Sequence, residues 1–493
     1  MTSRSAAEDL ARGLPATPFV AGHWQPESTQ DIFDVVDPVT ERCLVTVTEA
    51  DAATVDKAVA SARDALDDGE WGRMDGAARG QLLQSFAQLI EDRAEDFADL
   101  ESLDVGKPGF EGRVIDLPQT VATFRHYAGW ADKLTGQSIP TPDYQGRPTL
   151  SYTVRQPVGV VAAITPWNSP TMIGSWKIAP ALAAGCTVVL KPPEDAPLTS
   201  LLLAQLAEEA GFPAGVFNVV PGRGATTGNT LIEHPGIDKI SFTGSPATGR
   251  IVAAAAARNF LPTTLELGGK SPQIVFADAD LDAAAAGVAL GIFANQGEVC
   301  AAGSRILVAR TIHDEFVDRL AAHAAKVVLG DPFDDGTTMG ALINAKQRER
   351  VLRYVQLGRD EGAKLVTGGG TLERRGYFVE PTLFAGASPE MTIAREEIFG
   401  PVGTILAFDD DYQAVAIAND SDYALAATLW TTDLSRAHTV AARVRAGAVA
   451  VNGWSPLDAR LSWGGSKQSG LGRELGWAGI EANTELKTIT VIL

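Results

Sequence analysis

Two residues suggest chemistry by their type and surroundings. Cys300 lies in Asn295-Gln296-Gly297-Glu298-Val299-Cys300-Ala301-Ala302-Gly303-Ser304-Arg305, and Glu266 opens Glu266-Leu267-Gly268-Gly269-Lys270. The chain has 493 residues and three cysteines, too few for a disulfide scaffold. Cys186 sits in the apolar stretch 181–190 and reads as buried packing, whereas the glycine-rich, polar neighbourhood of Cys300 does not resemble a core segment. A thiol nucleophile and a remote carboxylate suggest covalent catalysis on a carbonyl carbon, with packing as the plain alternative. Cysteine hydrolases rely on a nearby histidine. None of His23, His126, His234, His313, His323 and His438 lies close to either motif or forms a ligand pattern, so no metal site is expected.

The formal charge of −20 disfavours a nucleic-acid partner, which requires clustered Lys and Arg. Residues 1–20 contain acids and two prolines but no continuous apolar core, unlike a secretory signal. The uncharged stretch 156–176 is interrupted by Pro166, Asn168 and Pro170. The stretch 171–190 is cut by Lys177 and Pro180, so no membrane span is expected. With so few cysteines, the expected location is the cytoplasm.

The elements that must hold these residues follow an α/β pattern. Helical periodicity predicts helices over 51–68 and 76–104. Short β-rich runs at 158–164, 186–190, 217–220 and 239–242 alternate with helices at about 171–184, 197–211, 225–233 and 247–258. That alternation predicts a parallel sheet covered on both faces, with ligands at the carboxyl ends of its strands. A second α/β unit over roughly 270–465 has helices at 281–294, 311–328 and 344–361 and strands at 304–308, 404–407 and 446–451. The stretch 151–157 is extended. The apolar stretch 488–493 needs a sheet to join, in this chain or in a neighbour.

Three segments fall after strands of the first sheet. Thr165-Pro166-Trp167-Asn168-Ser169-Pro170 follows the first, and Lys191-Pro192-Pro193-Glu194 the second. Gly244-Ser245-Pro246-Ala247-Thr248-Gly249 follows the fourth and opens a helix, where glycine and free N–H groups suit a pyrophosphate. It is not the Gly-x-Gly-x-x-Gly fingerprint, and an ordinary turn is the alternative. Lys191 and Glu194 offer an ammonium and a carboxylate for ribose hydroxyls, with a surface ion pair as the alternative. A carboxylate there would also repel a 2′-phosphate.

Together with Glu396-Glu397-Ile398-Phe399-Gly400-Pro401 and Gly464-Gly465-Ser466-Lys467-Gln468-Ser469-Gly470-Leu471-Gly472-Arg473-Glu474, these stretches resemble the NAD(P)-dependent aldehyde dehydrogenase family, its hydrolytic branch, over nearly the whole chain. The resemblance implies an α/β fold with three parts. A Rossmann-like nucleotide domain would span 1–137 and 157–268, an α/β catalytic domain 269–468, and a small β oligomerisation element 138–156 and 484–493. It implies Cys300 as nucleophile, Glu266 as general base, and the Asn168 side-chain amide with the Cys300 N–H as oxyanion donors. NAD, with NADP as a weaker cofactor, would be held by Thr165, Pro166, Trp167, Lys191, Glu194, Gly244, Ser245, Glu397 and Phe399. Lys177 and Glu474 are candidates for proton relay.

By the same resemblance Ser169, Met172, Ile173, Trp176, Phe293, Val299, Trp454, Leu457 and Trp463 line a substrate tunnel, with Glu298 close by. Such a tunnel suits an aliphatic or aryl aldehyde. The alternative is a quaternary ammonium aldehyde such as betaine aldehyde, held by the same rings with attraction from Glu298. The expected product is the free acid, because branches that pass the acyl group to coenzyme A lack the general base. The expected partner is a second copy of the chain, in a homodimer or homotetramer joined through the terminal strand. An acyl hydrolase and a catalytically silent homologue are the remaining alternatives.

Overall fold

The computed structural model describes residues 3–28, 31–454 and 457–493. Two largely parallel sheets carry the chain. In the first, β1 (Val160–Ile164), β2 (Thr187–Lys191), β3 (Phe217–Val219), β4 (Lys239–Thr243) and β5 (Thr263–Glu266) lie in the order β3-β2-β1-β4-β5. Every residue of β1, β2 and β4 is buried; β1 and β2 are mainly apolar, as expected with helices on both faces, whereas in β4 the buried Lys239 donates to Thr264 Oγ1 at 2.9 Å and Ser241 to Glu474 Oε1 at 3.1 Å. The crossovers include α1 (Pro170–Ala184), α2 (Leu198–Ala210) and α3 (Pro246–Arg258). The strand order reverses between β1 and β4, and a crevice for a ligand opens at the carboxyl ends of strands at such a switch point.

Helix α1 starts with proline at its first turn and stops at Gly185, whose φ of 96° only glycine adopts without strain. All its residues are buried, including Lys177. An apolar helix of this kind belongs inside a large domain.

The second sheet contains β6 (Pro272–Val275), β7 (Arg305–Ala309), β8 (Thr382–Ala385), β9 (Val402–Phe408), β10 (Ala426–Trp430) and β11 (Ala448–Val451). They run parallel in the order β8-β9-β7-β6-β10-β11, with Lys364–Thr367 antiparallel outside β8. Helix α4 (Leu281–Phe293) packs against this sheet. The chain passes from the last residue of β5 in one sheet to the first of β6 in the other within residues 266–272. The junction of the two sheets is therefore where Glu266 stands.

A third, small sheet pairs Thr484–Ile492 with Thr149–Pro157, and Ser138–Ile139 joins its far side. The terminal strand thus finds a partner in its own chain. Leu150, Leu486, Val491 and Ile492 of this sheet are exposed.

Some expected elements differ. The helix predicted over 76–104 is two, Gly76–Asp92 and Ala94–Asp104, broken at Arg93 with φ −107° and ψ 18°. The break lets Leu83, Phe86 and Ile90, then Phe97, Leu100 and Leu103, face one core. The helix expected over 225–233 is a π-helical turn, Gly224–Gly228, followed by Asn229–Ile232. Strands β5, β6, β8 and β10 are not evident in the sequence pattern. In β6 a buried Gln273 replaces an apolar residue, because its amide donates to Val288 O and Gly303 O, both at 3.2 Å. Among the described residues no helix is long and apolar enough to cross a membrane.

Candidate functional site

Four segments converge at the junction of the sheets, and glycines let them approach. A Cβ on Gly269 would lie 2.6 Å from the Cys300 carbonyl oxygen, and one on Gly268 would collide with the Glu397 carboxylate. The Gly269 N–H instead donates to Glu397 Oε1 at 3.0 Å. Glu266 is closed in by Gly464, where φ is 143° and a Cβ would overlap the carboxylate. Larger residues at these positions would displace the groups that face Cys300.

The loop bearing Cys300 follows α4 through a short 3₁₀ turn, Ala294–Gly297. Asn168 and this loop hold each other. The Asn168 Nδ2 donates to Glu298 O at 2.8 Å, and the Asn295 Nδ2 donates to Asn168 O at 2.7 Å. Asn168 is thereby tied two residues before Cys300, with a second amide hydrogen not used by this bond. The Asn295 N–H in turn donates to both oxygens of Glu111, at 3.1 and 2.9 Å.

Burial pushes the Cys300 thiol up to about 12, and the Glu397 and Glu266 charges push the same way. Burial likewise holds the Glu266 carboxyl well above the usual carboxylate range. Glu474 adds to the effect, and Lys177 and Arg473 oppose it. Neither Glu266 oxygen has a hydrogen-bond partner among the described residues. A thiol so placed is neutral at ordinary pH, and its thiolate fraction grows as pH rises. Iodoacetamide labelling of Cys300 in the cofactor-free protein is therefore expected to speed up about tenfold per pH unit between about pH 7 and pH 10. Peptide mapping checks this, and a flat profile would place an unrecognised cation beside the sulfur.

Lys177 and Glu474 form a buried ion pair at 2.5 Å. Lys177 also donates to Thr243 Oγ1 at 2.7 Å, and Ser241 Oγ lies 3.1 Å from Glu474 Oε1. Both charges act on Glu266, so the two relay candidates adjoin the candidate base.

The groups expected to hold a dinucleotide gather at the carboxyl ends of β1, β2 and β4. Lys191 Nζ lies 4.0 Å from Glu194 Oε2, beyond hydrogen-bond reach, and burial lowers its pKa to about 8. Glu194 Oε2 accepts the Gly224 N–H at 2.7 Å. Thr165 Oγ1 is buried without a hydrogen-bond partner among the described residues, and such a hydroxyl suits a ligand contact. Ser245, next to Gly244, caps α3 by accepting the Thr248 N–H at 3.2 Å. Trp167, after Pro166, meets Phe399 edge-on at 5.2 Å between ring centroids. Phe399 takes φ 61°, a strained value for an aromatic residue. Its carbonyl accepts Gln347 Nε2 at 2.5 Å, and Arg350 donates to Glu397 O at 2.6 Å. The set fits NAD: a lysine and a carboxylate at one strand end, a helix N-terminus, an orphan hydroxyl and an aromatic pair.

Met172, Ile173, Trp176, Val299, Leu457 and Trp463 form one apolar cluster that includes Cys300. Trp176 and Trp463 are 6.3 Å apart at an interplanar angle of 57°. Ser169 is buried immediately before α1. Trp454 places Nε1 3.4 Å from Ala301 O and lines, with Leu457, Leu461 and Trp463, a neighbouring cavity of about 200 Å³. Phe293 packs elsewhere, in the core of the second sheet with Ala289 and Ile405, because it ends the core-facing side of α4. Glu298 is fully buried and its Oε1 accepts the Ile343 N–H at 3.2 Å.

Sequence reasoning missed Ile115 and Leu475 of the apolar cluster, and Glu111 and Asn295 behind the Cys300 loop. Asn295 stood in the motif without an apparent role. Glu111 gave no signal, because nothing local marks a carboxylate that folds onto a loop so far along the chain.

Residues 24–489 match the model of the Aldehyde dehydrogenase family. Retinal dehydrogenase 2 of Homo sapiens is 46% identical over 476 residues, covering 96% of this chain and 91% of that protein. The NAD+ complex of an aldehyde dehydrogenase from Bacillus cereus is 43% identical at TM-score 0.96, covering 99% of this chain and 98% of that one. P. syringae AldA, an indole-3-acetaldehyde dehydrogenase in complex with NAD+ and IAA, is 43% identical at TM-score 0.96 over 100% of both chains. The two large sheets and the small one accordingly form a Rossmann-like NAD-binding region, a catalytic domain and a small β element. The chain belongs to the aldehyde dehydrogenase family, and it carries out NAD-dependent oxidation of an aldehyde through a catalytic cysteine.

Proposed function

We propose that Cys300 is that cysteine, that it oxidises an apolar aliphatic or aryl aldehyde, and that the product is the free carboxylic acid. The observation that carries this reading is the setting of Cys300, which lies in an apolar cluster with Glu266 and Glu397 acting on its sulfur and Asn168 bound to its loop. The Cys300 thiol gives its proton to solvent water, and the thiolate so formed adds to the aldehyde carbon. The Asn168 amide and the Cys300 N–H donate to the oxygen that becomes negative. When bound, NAD supplies the acceptor for the hydride whose loss converts this adduct to a thioester. Glu266 then takes a proton from water, water adds to the thioester carbon, and the Cys300 sulfur leaves with the acid released. Lys177 and Glu474 pass that proton onward.

Lys191 and Glu194 hold the adenosine ribose, and Glu194 favours NAD over NADP. Thr165, Pro166, Trp167, Gly244 and Ser245 line the rest of the dinucleotide path. Glu397 and Phe399 position its nicotinamide end. The Glu298 carboxylate is turned to the Ile343 amide, which removes the attraction a cationic aldehyde would need. The three free cysteines favour a cytoplasmic setting. The exposed apolar residues of the sheet built from 138–156 and 484–493 favour a homo-oligomer.

Comparing kcat/KM for benzaldehyde, phenylacetaldehyde, hexanal and betaine aldehyde tests the substrate class. We expect each of the first three to exceed betaine aldehyde by about tenfold or more, since desolvating a cation without a partner is costly. Betaine aldehyde as the best of the four would overturn the apolar reading.

A further inference from the structure

We propose that Glu111 is a positioning residue for the oxyanion site, holding the main chain of the turn that presents Cys300. The proposal rests on the reading of Cys300 as nucleophile and extends it to a part of the chain outside both large sheets.

The turn before Cys300 is strained. Asn295, Gln296 and Gly297 take φ values of 45°, 55° and 72°, three left-handed residues in succession, and two of them are not glycine. Such a conformation persists only where its surroundings over-determine it. Several side-chain bonds brace it. Gln296 Oε1 accepts the Gly340 N–H at 3.3 Å, and Glu298 Oε1 accepts the Ile343 N–H at 3.2 Å. Glu111 does something different, because its carboxylate takes the main-chain N–H of the first left-handed residue, at 2.9 and 3.1 Å.

Asn295 is also the residue whose side chain fixes Asn168 O, and Asn168 Nδ2 is bound to Glu298 O. Both proposed oxyanion donors therefore hang on one turn: Asn168 through two reciprocal bonds, and the Cys300 N–H through the chain. Glu111 is itself well placed to hold a fixed position. It is 6% exposed and stands where Gly109–Glu111 passes into a π-helical turn, Gly112–Asp116. π-Turns of this sort reorient side chains at functional sites. Removing the acceptor leaves the buried Asn295 N–H unpaired and lets the turn relax, which moves both donors relative to the sulfur.

The test is the pre-steady-state burst of NADH with benzaldehyde at saturating NAD. The wild-type protein and Cys300→Ala are run beside Glu111→Leu, Glu111→Gln and Glu111→Asp. For Glu111→Leu the burst rate is expected to fall about 10- to 100-fold, as for a donor displaced by a fraction of an ångström. The NAD dissociation constant is expected to stay within about twofold, because the hydrogen bonds of Glu111 go to Asn295 and not to the groups proposed for the dinucleotide. Glu111→Gln keeps an acceptor oxygen of the same reach, so it should restore the burst to within about threefold of wild type. Glu111→Asp is one methylene short and is expected to lose about tenfold, which preserves the comparison if the leucine variant does not fold. A burst within twofold of wild type in both the Leu and Asp variants, or a Gln variant as slow as Asp, would overturn the proposal. A wild-type burst that survives in Cys300→Ala would instead overturn the reading on which it rests.

Discussion

Replacing Cys300 by alanine is expected to lower aldehyde-dependent NADH formation by about 10⁴-fold or more, while NAD binding stays within about twofold. The size of the loss follows from the chemistry. Without sulfur no covalent adduct forms, and the oxyanion donors have no tetrahedral oxygen to stabilise. The groups proposed for the dinucleotide stand at the ends of β1, β2 and β4 and do not depend on the thiol. The folding cost is small, because the change removes a single sulfur from a half-buried position. Steady-state absorbance and an NAD titration followed by tryptophan fluorescence check the two halves. Turnover near the wild-type rate would remove the covalent mechanism.

Glu266→Gln is expected to separate acylation from hydrolysis. Glutamine fills the same volume beside Gly464 but cannot accept a proton, so steady-state turnover should fall about 10²- to 10⁴-fold. A single burst of NADH per active site should survive, because the bonds made before hydrolysis do not consume this base. The pH profile adds a second signature. Burial and the neighbouring Glu474 hold the Glu266 carboxyl high, so its basic form grows as pH rises. The wild-type hydrolytic rate should climb through neutral pH, and the glutamine variant should lack that climb. If the burst vanishes with turnover, Glu266 acts chiefly before the thioester, as acceptor of the Cys300 thiol proton.

Much of this site was legible in the sequence because its parts are local motifs. Gly268-Gly269, Gly464 and the Cys300 loop are short runs whose glycines are required by close approach, and glycine is visible in sequence. The strands β1 and β2 were equally plain, since burial on both faces leaves nearly continuous apolar runs. Of the missed strands, β6 is one whose burial depends on a polar partner. Gln273 in β6 is satisfied by carbonyls of other elements, so local pattern argues against a strand that tertiary hydrogen bonds permit. Long-range pairs were also hidden. The Lys177–Glu474 ion pair and the Glu111–Asn295 bond join segments far apart in the chain. Glu298 shows the opposite case: its neighbour Val299 joins the cluster, while its own Oε1 accepts the Ile343 N–H, and Phe293 packs with Ile292 in the core of the second sheet.

The most direct test of Cys300 as the residue that carries the acyl group is a mass measurement. The Glu266→Gln protein is mixed with NAD and benzaldehyde, quenched in acid after the burst, digested and analysed. A benzoyl group is expected on the peptide containing Cys300, in an amount equal to the NADH of the burst, and none on the peptides of Cys43 or Cys186. An unmodified Cys300 peptide beside a full burst would contradict that role.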